Sequence, residues 1–137
     1  MATIETIYLG ELRTEAKHVL SKNTLITDAP PDNNGKGEAF SPTDLLATAL
    51  GSCMMTLMGI YAQRENIDLQ GTKFEITKIM ASNPRRVSEV QIIFDFPKEL
   101  NVSDEQKEKL KHFALTCPVS QSVHPDLLQN ITFNFPK

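Results

Sequence analysis

The sequence predicts a mixed helix-and-strand domain, and three observations lead there. The N-terminal third is rich in Ile, Thr, Tyr and Leu and is punctuated by turn residues, the composition of a strand meander. One long segment after Ser41-Pro42 is apolar on nearly every side, as in a helix with no solvent face. The remainder reads as hairpin, helix and strand in succession. At 137 residues the chain fits a single domain spanning 1–137, large enough to bury a core and too short for two independent enzymes.

Taken in order, residues 3–8, 12–19 and 24–28 are the candidate strands of the meander, with Gly10 and Ser21-Lys22-Asn23 as the turns between them. Residues 29–39 carry the Pro, Asn and Gly density of a connector and none of the periodicity of an element. A helix then starts at Pro42. Ser41 is suited to accept from its free amides, Pro42 loses nothing by lacking an N–H in the first turn, and Asp44 faces the positive end of the dipole. It is expected to run to about residue 66 and, being apolar all round from Leu45 to Ile60, to be buried on all sides. One short chain has too few other elements to cover it, so a partner subunit is expected.

Residues 72–81 and 87–96 form an expected hairpin around Asn83-Pro84. Ser103 and Gln106 have capping-box spacing and open a second helix, whose lysines 107, 109 and 111 fall toward its C-terminal half. Pro118 opens a short third helix ended by His124-Pro125, and residues 130–135 alternate apolar with polar as a closing strand.

Composition removes several function classes. Lys and Arg number 14 against 17 Asp and Glu, and the longest basic run is Arg85-Arg86, so a nucleic-acid footprint is not expected. The N-terminus has no cationic stretch followed by an apolar run, and polar residues and Gly51 interrupt the one long apolar segment. The expectation is a cytoplasmic, soluble chain that does not enter a membrane. In a reducing compartment its two cysteines are inert buried thiols, a metal pair or a redox pair.

Cys53 lies about three turns into the long helix, where a buried thiol is ordinarily a small hydrophobe. Cys117 precedes a helix-opening proline and so occupies an N-cap, where free amides and the dipole favour a thiolate. His18, His112 and His124 stand at no ligand spacing from either cysteine. Arg13 is a surface arginine by default, and Asp28, Asp32, Lys36 and Glu38 cluster around the long connector as solvated charges. Met54, Met55, Leu57 and Met58 are core filling by default, and otherwise walls for an apolar substrate.

Two segments together resemble one family. Residues 41–53, SPTDLLATALGSC, are similar to the helix-opening motif of the osmotically inducible protein C and organic hydroperoxide resistance (OsmC/Ohr) proteins, and CPVSQSV at 117–123 is similar to their second cysteine motif. The order of elements agrees over essentially the whole chain. The resemblance implies an α+β, OsmC-like fold in which two chains intertwine as a homodimer, with antiparallel sheets around central buried helices. It also implies a cysteine-based peroxidase for organic hydroperoxides, in which Cys53 attacks the peroxide and becomes a sulfenic acid that Cys117 resolves as a disulfide. Recycling by a dithiol or a lipoylated protein and the absence of a bound cofactor are further implications. Family peroxidases carry a glutamate after the motif proline, holding an arginine over the thiolate; here that position is Thr43, and Arg13 is the candidate arginine. Asp44, the next residue, lies about 180° around a continuous helix from Cys53. The alternative is a non-catalytic small-molecule-binding protein on the same scaffold, which Thr43 favours, followed by a thiol-dependent acyl hydrolase.

Overall fold

Turn chemistry sets the first strands of the computed structural model, which describes all residues 1–137 and divides into two compact units, Met1–Leu46 and Ala47–Lys137. In the first unit β1 (Ile4–Gly10), β2 (Arg13–His18) and β3 (Thr24–Asp28) form an antiparallel meander in that order. Gly10, Glu11 and Leu12 all take positive φ to turn β1 into β2, and a bulge between Tyr8 and Gly10 accommodates the tight reversal. The register sets Arg13 directly opposite Asp28. Only Asp28 and Ser41 are buried in this unit, while Ile4, Ile7, Tyr8, Leu25 and Phe40 stand exposed. The connector expected to lack any element contains a 3-10 turn at Pro31–Asn33, where Pro31 supplies a preset φ at the first position.

Helix α1 (Pro42–Arg64) starts where its cap predicts. The Ser41 N–H donates to Asp44 Oδ2 at 2.9 Å and the Asp44 N–H donates to Ser41 Oγ at 3.0 Å, a reciprocal capping box with aspartate in the third helical position.

The second unit takes α1 from Ala47 onward, followed by β4 (Lys73–Ala81), β5 (Arg86–Asp95), α2 (Asp104–Leu115), α3 (Pro118–Ser122) and β6 (Leu128–Asn134). The strand order is β4-β5-β6. The expected antiparallel arrangement holds for the β4–β5 hairpin, but β6 runs parallel to β5, with Val90 opposite Gln129 and Phe94 opposite Phe133. The reason is the connection: the chain leaves β5, passes through α2 and α3, and returns by a crossover, which is how neighbouring strands come to run the same way.

Alternation on β5 sends Val90, Ile92 and Phe94 inward, each fully buried with Leu50, Met54 and Met58 of α1 and Leu110 and Ala114 of α2. Phe74, Phe94 and Phe133 stack across the three strands with ring centroids 5.2 and 5.5 Å apart. At Gly51 the helix lies so close to the sheet that an added Cβ would sit 2.6 Å from Ile76 Cδ1.

Length and composition alone would let α1 cross a membrane. Its packing within the chain is one-sided. Ala47, Leu50, Gly51, Met54, Met58, Tyr61 and Ala62 form a buried stripe, whereas Leu46, Ala49, Thr56 and Ile60 on another face are exposed. The helix expected to be buried on all sides is therefore buried on one side by its own chain, because a three-stranded sheet and two shorter helices cover only one of its faces.

Candidate functional site: a facing thiol pair

Both cysteines lie in the second unit, and the structure places them near enough for the Cys53 thiol to act on that of Cys117. Each is a free thiol. Cys53 projects from α1 at the border of its exposed stripe and is half-buried, while Cys117 is fully buried at the start of α3. Met54 and Met58 are fully buried core residues; Met55 and Leu57 are half-buried and pack against that core.

Cys117 is the N-cap of α3, with extended backbone and a sulfur that accepts from the Ser120 N–H at 3.4 Å. The expected N-cap is present and its amides act in the thiolate's favour, but burial outweighs them. Burial pushes the Cys117 thiol above its ordinary value, with a smaller upward push from Cys53, and the amides of Ser120 and Val119 only partly oppose it. Two amides of a five-residue helix do not replace the water that a buried thiolate loses.

Sequence patterns did not single out what holds this turn. Ser120 Oγ lies 2.5 Å from Gln129 Oε1, and Gln129 Nε2 donates to the Ser120 carbonyl at 3.2 Å. Gln129 is half-buried in the inward row of β6 that continues as Ile131 and Phe133. The usable signal is that one polar residue in an otherwise apolar inward row needs a specific partner.

Arg13 belongs to the first unit, as do both of its partners. Its Nε and Nη2 donate to the two carboxylate oxygens of Asp28 at 2.7 and 2.8 Å, and Nη2 also donates to Glu38 at 2.9 Å. Asp28, expected to be solvated, is fully buried, and the backbone N–H of Glu38 adds a further bond to it at 3.1 Å. The facing guanidinium holds the Asp28 carboxyl below the ordinary aspartate value, and Asp28, with Glu38, raises Arg13 further above its own. The cross-strand pairing of Arg13 with Asp28 is the signal that a strand-by-strand register would have supplied. Glu38 and Lys36 are solvent-accessible, as expected, and Lys36 pairs with Glu11 at 3.0 Å. Thr43 Oγ1 lies 3.1 Å from Ser41 Oγ. Asp44 is engaged in the cap of an unbroken helix. No three His, Cys, Asp or Glu side chains converge closely enough to hold a metal ion.

Comparison with known proteins agrees with this architecture. The family model for OsmC-like proteins matches residues 35–129, which include both cysteines. A crystal structure from Psychrobacter arcticus 273-4, named for osmotic stress induction and detoxification response, is 53% identical, covers 97% of this chain and 96% of its own, and superposes with a TM-score of 0.92. Two more distant structures share the fold. The OsmC-like protein of Mycoplasma pneumoniae is 17% identical over 98% of this chain and 96% of its own, with a TM-score of 0.79. An organic hydroperoxide resistance protein OsmC of Legionella pneumophila is 15% identical over 98% of each chain, with a TM-score of 0.70. No curated protein matches the chain. With a family model spanning more than half its residues and a relative identical at more than half its positions, the chain belongs to the OsmC-like protein family.

Proposed function

We propose that the protein is a thiol-dependent peroxidase acting on organic hydroperoxides, with Cys53 as the attacking thiol and Cys117 as the resolving one. The observation that carries this is the proximity of two reduced thiols, one at the border of an exposed helix face and the other enclosed. The hydroperoxide-resistance name of the Legionella relative and the detoxification name of the Psychrobacter relative support the substrate class.

In the first step the Cys53 thiolate attacks the terminal oxygen of the hydroperoxide. The O–O bond breaks, the alkoxide leaves and takes a proton as the alcohol, and Cys53 becomes a sulfenic acid. In the second step the sulfur of Cys117 attacks the sulfenic sulfur, the S–S bond forms, and hydroxide leaves as water with the proton given up by Cys117. A dithiol, free or as a lipoyl group on a protein, then reduces the disulfide and becomes oxidised in its place. The enzyme is proposed to work as a cytoplasmic homodimer, with the exposed stripe of α1 covered by the second copy. Arg13 is the cation proposed to favour the thiolate, and Arg13→Ala should slow peroxide attack more than Arg64→Ala, whose guanidinium lies 5.3 Å from the Phe113 ring centroid. Equal rates for the two variants remove Arg13 from the mechanism.

Mass spectrometry after one equivalent of cumene hydroperoxide tests the central step. A Cys53–Cys117 disulfide is expected, and two unchanged thiols would sink the proposal. They would favour the second possibility, a non-catalytic small-molecule-binding protein. The occupied Arg13 side chain is the observation on that side: its guanidinium already serves two carboxylates, and Thr43 has no charge to redirect it.

A further inference from the structure

The turn that carries Cys117 is tied to α2 by the Cys117 N–H to the Ala114 carbonyl and by the Ser120 hydroxyl, 3.3 Å from the Leu115 carbonyl, and to β6 by Gln129, which holds Ser120 at two points. Gln129 sits on β6 opposite Val90, in the inward row where Ile131 and Phe133 follow it. A glutamine in this row costs apolar burial, and it would be tolerated only if both ends of its amide found partners. Both do. The hydroxyl of Ser120 donates to its Oε1 at 2.5 Å, and its Nε2 donates to the Ser120 carbonyl at 3.2 Å. One residue of α3 is thus gripped at its side chain and at its backbone. The N–H of that same residue points at Cys117 Sγ at 3.4 Å.

We propose that Gln129 is a positioning residue for the resolving step: by clamping Ser120 it aims the Ser120 N–H at the Cys117 sulfur and so stabilises the negative charge that sulfur must carry when it attacks Cys53. This deepens the peroxidase proposal and rests on it. The chemistry needs such a device because Cys117 is fully buried, with burial working against its thiolate. Cys53 of α1 is the titratable group acting on it, and the amides of Ser120 and Val119 are the groups that favour its ionised form. A hydrogen bond to a charged sulfur depends on alignment, and a five-residue helix without this clamp would leave that amide freer to swing.

The test uses the full chain. Gln129→Leu is the primary variant, since leucine suits the inward row and should keep β6 in place, and Ser120→Ala is the second. Disulfide closure is followed in a single turnover with cumene hydroperoxide and a sulfenic-acid trap. In a Cys53→Ser background the Cys117 thiol is titrated through its 13Cβ resonance. Gln129→Leu should leave the first peroxide step unchanged, slow closure about tenfold, and move the pH at which Cys117 ionises upward, as the loss of about one decade of thiolate requires. Ser120→Ala, which removes one of the two grips, should act in the same direction by less. A closure rate and ionisation midpoint both equal to wild type, whether or not melting temperature falls, would overturn the proposal and leave Gln129 a merely structural residue. The titration does not depend on peroxide, so if wild type forms no sulfenic acid, the peroxidase proposal fails while the midpoint still decides the role of Gln129.

Discussion

Cys53 and Cys117 are neighbours with different surroundings, and the proposed peroxidase chemistry asks a different step of each. A half-buried thiol bordering an exposed face is open to an incoming peroxide, whereas an enclosed one is open only to its neighbour. Cys53→Ser should therefore abolish the first peroxide-consuming step, because a serine hydroxyl is far less ionised and less nucleophilic than a thiol. Cys117→Ser should keep one rapid turnover and then accumulate sulfenic and, with excess peroxide, sulfinic acid at Cys53. Single-turnover consumption with mass analysis separates the two, and rapid consumption by Cys53→Ser alone would invert the assignment. Since burial raises the Cys117 thiol above its ordinary value, its thiolate fraction grows with pH through the neutral range. Closure of the disulfide should accelerate about tenfold per pH unit between pH 6 and 8, as measured by stopped flow. At Asp28 the sign is the opposite. Its carboxyl is depressed by Arg13, so the stability it contributes is complete above the ordinary aspartate value and is lost as pH falls through the folded-state value. Asp28→Asn should lower the melting temperature at pH 7 and flatten its fall on acidification; an unchanged acid limb in calorimetry would contradict the pairing.

At the scale of elements, α1 is held by its cap and by its approach to the sheet. Ser41→Ala removes the acceptor for the Asp44 amide and should cost about 1 kcal/mol in denaturant unfolding. Gly51→Leu would drive a side chain into Ile76 and Ile92, and overpacking of this kind should cost about 1–3 kcal/mol. Both features were unequally legible in the sequence. The start of α1 was visible because Ser41, Pro42 and Asp44 act on their own neighbours, and β3 and both shorter helices were visible for similarly local reasons. The direction of β6 was not, because alternation marks a strand without saying which way its partner runs. The buried state of Asp28 was also hidden: it follows from a cross-strand register, and a lone aspartate beside a Pro- and Gly-rich connector reads as solvated. For Cys117 the local signal was true but incomplete, since the N-cap is written in Cys-Pro while the burial that outweighs it comes from packing distant in sequence.

At the scale of the whole molecule, the uncovered surfaces bear on assembly. Leu46 and Ile60 of α1 stand 37% and 46% exposed, and Ile7, Tyr8 and Phe40 more than half exposed, in a chain of only 137 residues. Contiguous exposed apolar area is what a subunit interface covers. We expect an obligate homodimer, with Ile60→Asp weakening it; sedimentation showing a folded wild-type monomer at micromolar concentration would reject this. The parallel pairing of β6 with β5 also bears on how the molecule is made. Gln91 meets Asn130 only after two helices have intervened, so this edge of the sheet closes against a larger loop entropy than the β4–β5 hairpin. Until it closes, one edge of β5 offers unpaired backbone groups beside the apolar row Val90, Ile92 and Phe94, a template for any other extended chain. The vulnerable species in synthesis and refolding is therefore a hairpin still waiting for its third strand, and the yield of soluble protein should depend on how quickly β6 arrives more than on the stability of the finished fold.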